Sequence, residues 1–528
     1  MTNWAQQCRG QLSRVAVRFL FLCILIAMTS LAVSGCGISK VSRNLVTPAQ
    51  IRSAQHIPGV LKAHMLNGDL YAVSEWKVDS TQTRINGTGS HFDWNRALID
   101  SGAQSLALDS VVIFETNDVS MSPSVAALAI VTVASVAVTI ACLANPKACF
   151  GSCPTFYVDD GDSLLLQAEG FSSSIAPALE ATDIDALYRA KFHGQSTTLT
   201  MTNEAYETHI VRHADLIAVE KPLHGRAMVT SDKQYWEVSE IIAPDSVACD
   251  SPSAASKLSE FDGIEWFSLA DSNDLAAKEE LEISFPSTAA DQFGLAVACR
   301  QSLMSTYLFY QTLSYMGTGA GDFFASLQRS GPKMLSEFTT FGEGLGNIEV
   351  LVPDSSGEWQ VAGVIRETGP LATDMHLLLL PSLESSTPTV RVRLTKGYWR
   401  IDQIALVSVG KRLSEQRIQP SAAIRNGRQD SGALASLLDE AKVLITLPGD
   451  TVQLKYDLPQ TPENYEFFLE SRGYYLEWMR ENWLAQENKQ MATTILFNSG
   501  AALKTLAPEY KRVEAQMEEY FWNSRYAK

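Results

Sequence analysis

Cysteines are the first residues whose spacing could do chemistry. The chain holds eight, of which Cys8 and Cys23 fall in the N-terminal segment and Cys36, Cys142, Cys149, Cys153, Cys249 and Cys299 follow. Cys149-x-x-x-Cys153-Pro154 is the one close pair. In an oxidising compartment such a pair reads as a disulfide. Its loop is short, so the bridge would lock a turn more than restrict the unfolded chain. Two free thiols, or redox or metal chemistry, are the alternatives. Redox catalysis favours Cys-x-x-Cys at a helix start, and zinc needs two further ligands that nothing supplies. With Cys36 and the two N-terminal cysteines set apart, five remain, an odd count that leaves at least one thiol free.

Other candidate groups fall to structural readings. His56, His64 and His91 have no metal-ligand spacing and read as surface or packing residues. Asp159-Asp160-Gly161-Asp162 lacks the EF-hand order and reads as an acidic turn. Gly317-Thr-Gly-Ala-Gly321 follows no strand and has no Lys-Ser/Thr beside it, so it reads as a helix break rather than a phosphate loop. No nucleophile elbow, zinc-protease helix or Ser-x-x-Lys stands in a supportive context. No catalytic residue, metal ligand or cofactor is assigned, although Ser/His/Asp or paired carboxylates distant in sequence stay open.

Cys36 is different. Residues 1–35 carry Arg9, Arg14 and Arg18 without an acid, then the apolar run Phe19 to Met28 and small residues, the layout of a secretory signal. The ending Leu31-Ala-Val-Ser-Gly35-Cys36 resembles the lipobox of bacterial lipoproteins. The resemblance implies cleavage before Cys36 and its acylation, giving a membrane partner through several acyl chains. Gly37 after the Cys, rather than Asp, implies the outer membrane in Gram-negative cells. The localisation expected is therefore the cell envelope, with a periplasm-facing body.

A chain of 528 residues exceeds one core, and 46% hydrophobic with 19% charged residues suits a globular protein. The formal net charge is −17, and removing the three N-terminal arginines makes the remainder more acidic still. No basic stripe offsets this, so nucleic acid is not an expected partner.

The expected fold is mostly β with added helices (α+β). Residues 36–57 read as a tether and 58–120 as a small β domain. Residues 121–146 hold the uncharged run Val125 to Ala144, long enough to span a bilayer. It reads as a helix packed on the body or a partner, a span, or buried strands. Residues 147–335 read as a β-rich body ending in a helical region over Gln301 to Gln328. Residues 336–410 read as a β-sandwich-like region of alternating strands. Its ending Trp399-x-x-Asp402-x-Ile404-x-Leu406 is similar to the last strands of carbohydrate-binding sandwiches, though Trp399 itself reads as core. Residues 411–528 read as a hairpin, Val443–Leu447 with Val452–Tyr456, then a helix over Pro462 to Gln490 and another over Leu503 to Tyr526 broken at Pro508. Trp236 to Asp274 reads as loop-rich.

The succession Cys153-Pro154-x-x-Tyr157, Asp160-Gly161, Ala168-Glu169, Leu179-Glu180-x-x-Asp183 and Thr202-Asn203-Glu204-x-x-Glu207-Thr208 resembles an uncharacterised family of exported bacterial proteins. In that family an apolar segment likewise precedes the Cys-Pro motif. The likeness covers roughly residues 60–240, implies a β-rich exported fold and implies no catalytic residue. The function expected is a lipid-anchored envelope protein without catalysis, binding an envelope protein or glycan or serving in an assembly. The alternative is an envelope hydrolase acting on glycan or another polymer, marked by a cleft that gathers carboxylates of raised pKa. A thiol-based envelope factor using Cys149 and Cys153 is a third reading.

Overall fold

The computed structural model describes residues 39–46, 48–53, 60–65, 69–92, 98–121, 154–159, 164–205, 207–249, 254–321, 323, 345–366, 368–381, 388–478 and 486–518. Cys36, His56, Cys149, Cys153 and the run 125–144 lie outside them. The protein is mostly β with a few helices, and its strands form five antiparallel sheets among the described residues.

Sheet I stands first in the chain. Its strands are ordered Ser39–Val46, Val111–Met121, Leu61–Met65, Leu70–Val78, Arg84–Phe92, Leu98–Ala107. It has a core of its own, with Leu61, Val73, Trp76, Ile85 and Phe114 buried together with Ile51. Ile51 belongs to the helix Pro48–Ser53. The expected tether over 36–57 is thus largely folded. Ser39–Val46 finds a backbone partner at every residue along Val111–Met121. Its polar sequence is that of an edge strand, where one ladder suffices.

The remaining sheets share cores in succession. Sheet II runs Arg428–Gln429, Ala422–Arg425, Thr451–Asp457, Ser196–Thr202, Thr155–Asp159, Leu164–Glu169. Sheet III runs Glu415–Ile418, Glu207–Glu220, Tyr465–Glu477, Ala181–Ala186, with Leu444–Thr446 also on Glu207–Glu220. Sheet IV runs Arg226–Val229, Tyr235–Ile242, Trp399–Leu413, Phe293–Gln301, Asp374–Leu379. Sheet V runs Ser246–Ala248, Lys278–Ser284, Thr389–Thr395, Ile348–Pro353, Trp359–Ile365.

Successive side chains of a strand point to opposite faces, and the middle sheets use both. Leu216 and Ala218 join Leu199, Met201 and Leu454 of sheet II in one core. Ile217 and Val219 join Ala296, Ala405 and Val407 of sheet IV in the next. Leu295, Val297, Ile404 and Leu406 face the third core with Ile283, Val350 and Val392 of sheet V. All nine residues of Phe293–Gln301 are buried. Helices Met304–Met316, Lys489–Phe497 and Ser499–Lys511 close that third core through Tyr307, Leu313, Ile495, Leu503 and Leu506.

Two cations, Arg300 buried and Arg400 half-buried, tie the C-terminal helices down. Arg300 contacts both Glu265 and Glu518, and Arg400 contacts the same two acids while stacking 4.0 Å over Phe267. Arg300 also donates to the Pro370 carbonyl, 2.7 Å away. Burial disfavours its charge, but the two carboxylates more than offset that and raise its pKa.

Several expectations need correction. The helix over Pro462 to Gln490 is instead a 3-10 turn, Pro462–Asn464, followed by the strand Tyr465–Glu477. Its aromatics serve two cores at once: Phe467 and Leu469 face sheet II, and Phe468 faces sheet IV. The hairpin near 443–456 is not one, since Leu444–Thr446 pairs in sheet III and Thr451–Asp457 in sheet II. Leu447 to Asp450 turns a corner, held by Asp450 accepting from the Leu447 amide at 3.0 Å. Pro508 lies inside the helix Ser499–Lys511 rather than ending it. The loop-rich reading of 236–274 misses Tyr235–Ile242 and Ser246–Ala248.

Phe468 is fully buried and packs edge-on against Tyr188 and Tyr235, at 5.8 and 5.0 Å between centroids. Phe468→Ala should destabilise the protein by about 3–5 kcal/mol, read as a lowered urea midpoint. A change within experimental error would show that the sheet III–IV core does not govern stability.

Candidate functional site: a carboxylate junction at three sheet edges

Leu164–Glu169, Ala181–Ala186 and Asp374–Leu379 are each the last strand of their sheet. Their ends meet, and each brings acids. Asp183 and Asp185 stand two apart on one strand, so both project to the same face. Asp183 is directly opposite Ser471 and Asp185 opposite Leu469, which lies in the sheet II–III core. The two aspartates therefore face the end of Leu164–Glu169. Asp185 accepts from the Glu169 amide, and Asp183 accepts from the amides of Phe171 and Ile184. Glu169 in turn accepts from the Leu371 amide at 2.8 Å, fastening the segment before Asp374. A side chain at Gly369 would run into the Glu169 carboxylate, so this close approach needs glycine. Asp374 accepts from the Met375 amide at 2.7 Å, with His376 Nε2 3.4 Å from its other oxygen.

Electrostatics here favour retained protons. Burial, then repulsion from Asp374, pushes Asp183 up to about 7. Burial, then Asp183 and Asp374, raises Asp185 as well. Lys233 is the cation that acts on Asp183, and it is exposed. Asp185 Oδ2 and the buried hydroxyls of Ser174 and Ser471 have no hydrogen-bond partner among the described residues. Asp183 is only half-buried. The group can therefore hold and deliver a proton near neutrality.

A second polar cluster lies where the chain passes from sheet II to sheet III. Tyr157 donates to Glu204 at 2.8 Å, Thr202 donates to the same oxygen, and Thr155 and Thr202 are 2.7 Å apart. Glu207 and His209, both fully buried, lie 2.7 Å apart. Asn203 donates to the carbonyls of Glu207 and Thr446. Removed from solvent, this cluster can fix the crossing but cannot touch a substrate.

These two clusters absorb four acids of the sequence motifs, and Asp160 lies outside the described residues. Glu169 and Asp183 enter the junction, Glu204 and Glu207 the crossing, and Glu180 pairs with Arg212 and Arg472. Asp185, Asp374 and Ser471 were not singled out in the sequence. The one signal among them is Asp183-x-Asp185, which puts two acids on the same face of a strand. His64 and His91 do not come together: His64 meets Glu115 at 2.9 Å, and His91 meets Asp69 at 3.0 Å. Trp399 is core, 1% exposed. Among the described residues no group of three or more His, Cys, Asp or Glu is placed to hold a metal ion.

No protein-family model matches the chain, and no curated protein matches it. Among solved structures, BuGH86 in complex with neoagarooctaose and a variant of it with the same ligand each share 8% identity. Each alignment covers 44% of this chain and 34% of that one at a TM-score of 0.16. The chain thus spans about a third of their length. The infectious bursal disease virus Gx strain structure shares 8% identity over 92% and 91% of the two chains, at a TM-score of 0.11. Likenesses this slight carry no argument.

The raised Asp183 has a direct consequence for stability. Between the ordinary carboxylate range, near 3.8, and about 7, the folded protein holds a proton that the unfolded chain has released. Stability from this group is therefore greatest at the acid end and falls as pH rises through that window. Asp183→Asn should flatten the decline in melting temperature between pH 5 and pH 8. Parallel wild-type and variant curves would contradict the assignment.

Proposed function

We propose that the chain is a lipid-anchored component of the bacterial cell envelope, attached at the outer membrane through acylated Cys36 and facing the periplasm. Its β body serves in binding or assembly rather than catalysis, with an envelope protein or a glycan as partner. The observation that carries this is Leu31-Ala-Val-Ser-Gly35-Cys36 behind a basic and then apolar segment. The family of exported bacterial proteins that it resembles fits the same reading. The full burial of Glu207 and His209 supports the non-catalytic part, because that pair cannot reach a polymer. The strong net negative charge argues against nucleic acid. We read sheets IV and V, to which residues 336–410 contribute, as the sandwich-like part. We read Cys149 and Cys153 as a disulfide that locks the turn ahead of Thr155–Asp159. The test is incorporation of labelled palmitate in cells: label on the wild type, lost in Cys36→Ser, is expected. An unlabelled wild type would overturn the anchor.

One observation favours the second reading, an envelope hydrolase of glycan. Asp183 is half-buried, and burial followed by the Asp374 charge raises its pKa, which makes it a candidate general acid. Under the leading reading, purified protein releases no reducing ends from envelope glycans. Release by the wild type that drops about 100-fold or more in Asp183→Asn, the size of a lost general acid, would instead establish the hydrolase.

A further inference from the structure

Residues 258–277 carry five acids and no lysine or arginine. The segment is irregular apart from one bridge between Trp266 and Ile401, yet the body holds it at close intervals. Leu258, Trp266 and Ala270 are buried in the sheet IV–V core. The Trp266 amide donates to the Ile401 carbonyl at 2.7 Å, and the Ile401 amide returns a bond of 2.9 Å. The Gly263 amide donates to Asp402 at 2.9 Å, and the Ala270 amide to Glu514 at 2.6 Å. Between these fastenings three large apolar side chains stay in solvent. Ile264, Phe267 and Leu269 are 58%, 41% and 61% exposed. At no more than about 3.6 Å per residue, their backbone positions lie within about 18 Å of one another. Glu260 and Asp262, just ahead of them, are exposed and form no ion pair among the described residues. Cations that meet this part of the fold already have acids of their own: Arg189 has Asp402, Arg300 and Arg400 have Glu265 and Glu518, and Lys511 has Glu514.

We propose that Ile264, Phe267 and Leu269, with Glu260 and Asp262, form a docking surface for a basic, apolar segment of a partner protein. The aromatic and aliphatic groups supply the part of an interface that becomes dry. The unpaired acids select lysine or arginine at its rim. Charge disfavours the other occupants. An anionic lipid surface would meet carboxylates where it needs cations. A second copy would set the same acids against each other, because a two-fold contact presents one patch to itself. Folding already holds the loop in place, so docking has little left to order. This deepens the reading of the body as a binding component and rests on it, but not on the acyl anchor.

The test titrates the purified full chain into a fluorescent peptide of leucine and lysine, with a leucine and glutamate peptide as its counterpart. The lysine peptide should bind and the glutamate peptide should not. Phe267→Ser and Leu269→Ser should each weaken binding about 10-fold or more, the effect of losing an interface anchor. Glu260→Gln combined with Asp262→Asn should weaken it and flatten its salt dependence. Leu223→Ser, which removes a largely exposed leucine elsewhere, should change nothing. An unchanged melting temperature establishes that each variant is folded. No binding by the wild type, or equal binding by all the variants, would overturn the proposal. Self-association of the wild type that Leu269→Ser abolishes would give the surface to a second copy. Flotation with phosphatidylglycerol vesicles that Leu269→Ser abolishes would give it to lipid, and either result overturns the proposal. Failure of the binding reading itself shows as release of reducing ends, a separate measurement from peptide titration.

Discussion

The architecture depends on burying both faces of sheets III and IV. Glu207–Glu220, Tyr465–Glu477, Phe293–Gln301 and Trp399–Leu413 supply apolar side chains alternately to two cores. A sheet covered on one side needs only every second residue apolar; these need nearly all. Once that requirement is met, sheets II and V have one face each to bury, and the helices have only the flank of the sheet IV–V core to close. Burial at about 25 cal/mol per Å² acts along every one of these strands. The surface ion pairs of sheet V, such as Arg391 with Glu282, contribute far less.

The double burial also explains what was legible in the sequence. Strands from Ile348 to Leu406 alternate or run apolar between turns, and each is present. Leu303, Tyr307, Tyr310 and Leu313 keep one helical face and are all buried. Tyr465–Glu477 was misread because its aromatics fall at consecutive positions. Consecutive aromatics fit a strand packed on both sides as well as a helix, and only its two partner strands decide between them. The corner at Leu447 to Asp450 was illegible for a related reason. A turn signal between two strands says that the chain reverses, not that both strands stay in one sheet.

The carboxylate junction was legible in part. Glu169 and Asp183 stand in motifs that the sequence displays, but Asp374 is remote in the chain and reaches them only because three sheets end at one place. Its chemistry follows from the same placement. Burial at these strand ends brings the carboxyl groups together away from water. Burial, with the repulsion of neighbouring carboxylates, then raises the pKa of Asp183 and Asp185. The buried Glu207–His209 pair shows the opposite outcome, an acid met by a base at the point where the chain changes sheets.

Sheet III pairs Glu207–Glu220 with Tyr465–Glu477, segments separated by nearly half the chain. Contacts between such distant segments slow folding, because the long loop must close before any pairing rewards it. The strand that completes the central sheet is also synthesised long after Glu207–Glu220. Until it arrives, Glu207–Glu220 has apolar residues on both faces and an open edge, the kind of segment prone to aggregation. Sheet I, with a core of its own, stands outside this constraint, whereas the other four sheets share cores and depend on that late pairing.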